Sequence, residues 1–281
     1  MMTFPYYFHF AGHRIHPHPV MEVIAYALGF QLYRVTRQKF PAARMPFETN
    51  LWILVGALFG ALAGSKLLAF IESGPDFWAH RFEASYWLGG KTILGGLLGG
   101  WLGVEIAKKL VGVRHSTGDA FVFPLIVGMA IGRIGCFLTG LDDHTYGVAT
   151  HVPWGIDFGD GISRHPTQLY DIVFLATLGI VLGVLRRQRL SASFGPPGQG
   201  WGGGFSRNPT NPNGHLFLLF MADYCSWRFF VEFLKPTWKP IGISPIQVAA
   251  LCGLLFSIVR LRQRKAESFP REAHDAATER A

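Results

Sequence analysis

Seven apolar stretches, at about residues 20–35, 49–72, 92–112, 119–138, 168–185, 214–234 and 245–261, constrain this chain more than any other feature. A helix of about 20 mostly apolar residues covers a hydrocarbon core of roughly 30 Å. The first and last stretches are the shortest, and the first carries Glu22. Only 16% of the 281 residues are charged, whereas a soluble domain carries roughly 25%. With 49% apolar residues and 24 Phe, the chain is too apolar to stay disordered and too poor in polar surface for an ordinary soluble enzyme. The sequence therefore predicts an all-α fold, a polytopic membrane protein with seven transmembrane helices within residues 1–265.

The loops set the orientation. Seventeen of the 26 Lys and Arg residues fall on one face: Arg34, Arg37, Lys39 and Arg44, then Lys108, Lys109 and Arg114, then four from Arg186 to Arg207, then six from Arg260 to Arg280. The positive-inside rule places that face in the cytoplasm, with the amino terminus outside and the carboxyl terminus inside. This distribution accounts for the net charge of +8 without a basic soluble face, so nucleic acid is not a predicted partner. Residues 1–19, with Phe4, Tyr6, Tyr7, Phe8 and Phe10 among His and Pro, contain no continuous apolar run of the kind a cleavable signal peptide has. They read as an aromatic arm at the headgroup layer. Residues 191–213, rich in Gly, Pro, Ser and Asn, read as a cytoplasmic linker. Residues 266–281 read as a frayed cytoplasmic tail. The outward loop at 139–167 is long enough to suggest a function.

Ionisable residues inside spanning segments are costly and mark function. Arg133 lies 14 residues after Asp119, and Arg228 lies 14 residues after Gly214. At about 1.5 Å per residue, both guanidinium groups rise some 21 Å from the cytoplasmic end and reach one level. Lys66 reaches about 25 Å by the same rise. Glu22, Asp171 and Glu232 lie near outer ends, so the expected site is a polar, net basic pocket for an anionic lipid headgroup. Arg suits a phosphate because its planar fork donates two hydrogen bonds and stays charged. Glu232, four residues after Arg228, also allows a purely structural pair on one helix face. Gly95, Gly99 and Gly103 recur every fourth residue and predict close helix packing; no Lys-Ser/Thr follows to make a phosphate loop. The three cysteines, 136, 225 and 252, form no CxxC pair, and the four His of the first 20 residues match no standard ligand spacing. No metal and no cofactor is predicted.

The runs GRIGCFLTGLDDHTYG (132–147), RHPTQLYD (164–171) and YCSWRFFVEFLK (224–235), with LGGLLGG (94–100), resemble the prolipoprotein diacylglyceryl transferase family over about residues 26–261. The resemblance implies a multi-pass enzyme of the bacterial cytoplasmic (inner) membrane. Such enzymes move the diacylglyceryl group of phosphatidylglycerol onto the lipobox cysteine of a lipoprotein precursor, releasing glycerol phosphate. By motif position it implies catalytic roles for Arg133 and Arg228. It implies substrate-binding roles for Cys136, Thr139, His165, Gln168, Tyr170, Asp171, Tyr224 and Glu232, to which the depth argument adds Lys66. The implied partners are phosphatidylglycerol or a similar anionic phospholipid, lipobox precursors and the membrane lipids. Five positions depart from the family pattern: Leu94 stands where it has a His, Cys136, Thr139 and Leu141 stand where it has Asn, Asn and Glu, and Glu22 stands where it has a Tyr near the outer end of the first helix. Glu22, His165, Asp142 and Asp143 are the groups available to replace what is lost. A non-catalytic or altered-specificity lipid-binding relative is the alternative reading. A small transporter or scramblase would also carry intramembrane charges, but no inverted repeat supports it.

Overall fold

The computed structural model describes residues 4–40, 45–83, 89–193 and 214–278. Nearly all of the linker expected at 191–213 and the last three residues of the tail therefore lie outside the described residues. Seven long helices occupy the predicted segments: α1 (Pro17–Gln38), α2 (Phe47–Ser73), α4 (Ile93–Leu110), α5 (Val122–Thr139), α6 (Thr167–Ser193), α7 (His215–Val231) and α8 (Pro245–Thr278). A short helix absent from the sequence reading, α3 (Pro75–His80), follows α2. Two small antiparallel hairpins add the only strands among the described residues. One pairs β1 (Phe8–Phe10) with β2 (His13–Ile15); the other pairs β3 (Ile156–Asp157) with β4 (Ser163–Arg164).

Among the described residues, four stretches are long and apolar enough to cross a membrane: Phe47–Ser73, Gly118–Asp143, Thr167–Gln188 and Pro245–Arg264. The other three helices fall short for identifiable reasons. Glu22, Arg34 and Arg37 dilute α1, Glu105, Lys108 and Lys109 crowd one end of α4, and α7 has 17 residues. Large apolar side chains such as Trp52, Phe59, Ile180 and Phe230 stand exposed along the helices. A contiguous apolar exterior of this kind suits lipid and not water. Helix α8 continues to Thr278, beyond the end expected at 261, because Lys265, Ala266 and Glu267 prolong a helix-favouring run.

The glycine stripe of α4 has a counterpart on α2. Gly103, Gly99 and Gly95 face Gly56, Gly60 and Gly64 in antiparallel order, backbone against backbone. A Cβ added to Gly99 would lie 2.8 Å from Gly64 Cα and would overlap the Gly60 carbonyl. Thr92 fastens the end of this seam, its N–H donating to Ser65 Oγ at 3.0 Å and its hydroxyl to the Ser65 carbonyl at 3.1 Å. The main apolar core lies across α4 to α8, with Leu94, Val122, Leu175, Leu182, Phe220 and Ala250 all at 1% exposure or less.

The start of α7 is held from a distance. Asp119, in the 3-10 turn Gly118–Phe121 before α5, accepts the backbone N–H of Gly214 at 2.7 Å and of Phe217 at 2.9 Å. A carboxylate here satisfies amides that a helix start leaves without intrahelical partners and sits at the favourable end of the helix dipole.

Candidate active site

Arg133, in the last turns of α5, is buried, so its charge requires a partner. Its Nε forms an ion pair with Asp171 Oδ2 at 2.8 Å, and its Nη1 lies 3.8 Å from Cys136 Sγ. Asp171 projects from the first turns of α6, and its Oδ1 accepts a hydrogen bond from Trp227 Nε1 of α7 at 2.7 Å. One carboxylate thus ties three helices together. Phe174, one turn further along α6, stacks on Trp227 with centroids 4.6 Å apart and planes 4° from parallel, fixing the indole that donates.

Arg228 lies one residue after Trp227 and is also buried. Its Nη2 donates to Glu232 Oε2 at 2.6 Å, the same-face pair foreseen as structural. Both arginines lie within electrostatic reach of Asp171 and of the buried Tyr224, so the two guanidinium groups belong to one cluster. Lys235, just beyond the 3-10 turn Glu232–Leu234, is buried within electrostatic reach of Arg133, Arg228, Asp171 and Glu232, and Glu72 at the end of α2 lies within the same reach of Arg228, Lys235 and Glu232. Three cations therefore meet three acids. This corrects the expectation of a net basic pocket: burying a cation at this depth required bringing an acid with it.

The pairing is incomplete. Arg228 Nη1, Glu232 Oε1 and both amide atoms of Gln168 are buried without a hydrogen-bond partner among the described residues. Gln168 is fully buried in the first turn of α6, three residues before Asp171. Buried donors and acceptors left open carry a desolvation penalty, and several in one cluster mark a place where a polar group is received.

The other predicted residues divide. His165 Nδ1 lies 3.0 Å from Tyr170 Oη, and that hydroxyl accepts from Trp154 Nε1 at 2.8 Å, so the three form one group where the outer loop meets α6. Gly147 locks this loop to the helix ends: its N–H donates to the His165 carbonyl at 2.9 Å, and Val148 N–H donates to the Leu234 carbonyl at 2.7 Å. A Cβ at Gly147 would lie 2.6 Å from both His165 Cβ and its carbonyl oxygen, which explains the glycine. In the same loop, Arg164 donates to exposed Asp160 at 2.6 Å and holds that carboxyl below its usual range. Thr139 is buried and spends its hydroxyl on the Gly135 carbonyl at 2.8 Å. Lys66 is not brought to the arginines; its ammonium bonds the Gly89 carbonyl beside Lys91. Glu22 accepts from Tyr26 at 2.7 Å and Lys91 at 3.0 Å.

Leu94 is 1% exposed and packs in the apolar core. Asp142 is exposed, whereas Asp143 turns toward His18 of α1. The sequence reading missed Trp227, Lys235 and Glu72. Lys235 was within sight as the end of the FVEFLK run, but the contacts of Trp227 and Glu72 bridge segments far apart in the chain and leave no local signal.

A family model described as prolipoprotein diacylglyceryl transferase matches residues 5–262. The chain is 28% identical over 235 residues to the phosphatidylglycerol–prolipoprotein diacylglyceryl transferase of Bordetella avium, covering 82% of this chain and 80% of that one. It is 30% identical to the protein of the same name from Mannheimia succiniciproducens, over 86% and 89% of the two chains. To that of Geobacter sulfurreducens it is 35% identical, over 70% and 66%. No solved structure matches. A match that takes in both buried arginines, Asp171 and the helical frame as far as residue 262 leaves one conclusion: the chain belongs to the prolipoprotein diacylglyceryl transferase family.

Proposed function

We propose that this chain transfers the diacylglyceryl group of phosphatidylglycerol to the thiol of a lipobox cysteine. It would work in the bacterial cytoplasmic membrane as a seven-span protein with its amino terminus outside and its carboxyl terminus in the cytoplasm. The single observation that carries the reading is the junction of Arg133, Arg228 and Asp171, with open hydrogen-bonding atoms on Arg228, Glu232 and Gln168. In the reaction a thiolate attacks the glycerol carbon, a carbon–sulfur bond forms, and the carbon–oxygen bond to phosphate breaks. Negative charge grows on the departing glycerol phosphate, and fixed guanidinium donors in a dry site stabilise it. The carboxylates Asp171 and Glu232 hold those donors in place before substrate arrives, so little reorganisation remains. Tyr224 and Gln168 line the same space, and His165 with Tyr170 stands where the outer loop meets α6.

The buried position of Leu94, where the family has a His, favours a second reading, a lipid-binding relative without transfer activity. Complementation of a strain depleted of its diacylglyceryl transferase separates the two. Rescue by the unaltered chain, lost with Arg133→Ala and with Arg228→Ala, supports transfer. Rescue only by Leu94→His supports the second reading, and full rescue by either arginine variant overturns the first.

A further inference from the structure

Beside the arginine cluster, three residues of different chemistry converge. His18 sits at the start of α1, Cys136 in the last turn of α5, and Asp143 in the 3-10 turn Gly140–Asp143 that follows it. One potential ligand atom from each lies within 4.8 Å of the other two. Gly135 makes the approach possible, since a Cβ there would lie 2.8 Å from Met21 Cβ and 3.6 Å from His18 Cα, closing the space through which α1 reaches α5.

The local geometry offers an imidazole, a thiol and a carboxylate to one cation. His18 Nδ1 comes to 3.0 Å from Asp143 Oδ1 and is buried, yet it does not meet hydrogen-bond geometry with any described residue. The carboxylate is oriented from behind, with Thr145 Oγ1 donating to Asp143 Oδ2 at 2.6 Å, the outer support that metal-binding carboxylates receive. Cys136 Sγ has Arg133 Nη1 at 3.8 Å on its other side, a donor suited to a thiolate ligand. The His18 side chain remains 35% exposed, so the cluster opens on one side.

We infer that His18, Cys136 and Asp143 form a binding site for a thiophilic divalent cation of the zinc class, with a fourth position open on the exposed side of His18. One sulfur, one imidazole and one carboxylate with an open position is the ligand pattern of a reactive zinc site and not of a closed structural one. A second thiol entering the open position loses its proton outright to solvent. Resting on the transfer proposed above, this assigns the cation the activation of the acceptor: it holds the acceptor cysteine as a thiolate beside Arg133. The sulfur lone pair then forms the carbon–sulfur bond, and the electron pair of the broken carbon–oxygen bond leaves on glycerol phosphate. The cation is neither oxidised nor reduced.

The test uses the full chain in detergent, stripped with a chelator and titrated with cobalt(II) as the probe and zinc(II) as competitor. The inference expects one cobalt per chain with a near-ultraviolet thiolate-to-cobalt band that zinc abolishes. Cys136→Ser should remove the band, whereas Cys225→Ser and Cys252→Ser should keep it. Thr145→Val, which leaves all three ligands, should weaken binding by about 10- to 100-fold. Monodisperse elution identifies the variants that are folded. Absence of the band in the unaltered chain, or its survival in folded Cys136→Ser, overturns the site. Transfer that stops on stripping and returns with zinc supports the assigned task, and full transfer after stripping overturns that task. A chain that binds cobalt as described but transfers nothing to a lipobox peptide overturns the proposed function and leaves the site standing.

Discussion

The seam between α2 and α4 and the junction of α5, α6 and α7 hold helices together by opposite means. Along the seam, Gly56, Gly60 and Gly64 meet Gly103, Gly99 and Gly95, and contact is gained by having no side chains at all. At the junction, Asp171 reaches both Arg133 and Trp227, and contact is made by long side chains carrying charge and hydrogen bonds. Glycine packing gives close approach between backbones, where many weak contacts and little side-chain entropy are at stake. A buried ion pair is different in kind, because its net contribution to stability is small while the cost of breaking it is large. A seam can therefore be purely architectural. A junction of half-satisfied charges stores a geometry that a substrate can complete.

Five substitutions sharpen this contrast. Asp171→Asn should show the largest effect, about 3–5 kcal/mol of destabilisation, because it leaves the buried Arg133 without its counter-ion. Denaturation in detergent measures it, and a loss below about 1 kcal/mol would mean that water already compensates the charge. Arg228→Ala should lower transfer to a lipobox peptide by about 10²–10³-fold, the scale of a lost transition-state donor. Gly99→Leu should cost stability by overpacking, on the order of 1–3 kcal/mol, while the protein that remains folded keeps its activity. Equal losses of activity per folded molecule in Gly99→Leu and Arg228→Ala would erase the distinction between the two regions. Trp227→Phe keeps the stack on Phe174 but deletes one bond to a carboxylate, and should cost about 1.5 kcal/mol in the same denaturation. Glu22→Gln, at the partly exposed pair with Lys91, should change stability by less than about 1 kcal/mol.

The same contrast explains what could be read from the sequence. Helix positions followed from apolar runs, which are local, so α2, α5 and the start of α8 fall within three residues of their expected bounds. The α4 stripe was visible as a repeat, but its partner on α2 was not, since Gly56, Gly60 and Gly64 sit in a run already explained by hydropathy. Equal depth brought Arg133 and Arg228 to one level through rise per residue alone. That reasoning has no angular term, so it also raised Lys66 to the outer part of the bilayer although its ammonium bonds the Gly89 carbonyl. The acids that accompany the arginines were underweighted because depth counts charges without pairing them. His18 and Asp143 meet across most of the first half of the chain, where no periodicity can announce a contact.

Asp119 carries a last consequence. It fixes the beginning of α7 through two amides, so the register of Trp227, Arg228 and Glu232 is dictated from within the bundle and not by the peptide that leads into it. Chain continuity between α6 and α7 should then be dispensable. Two fragments severed near residue 200 and expressed together should reassemble into a working protein, and Asp119→Ala should abolish that rescue while harming the unbroken chain far less.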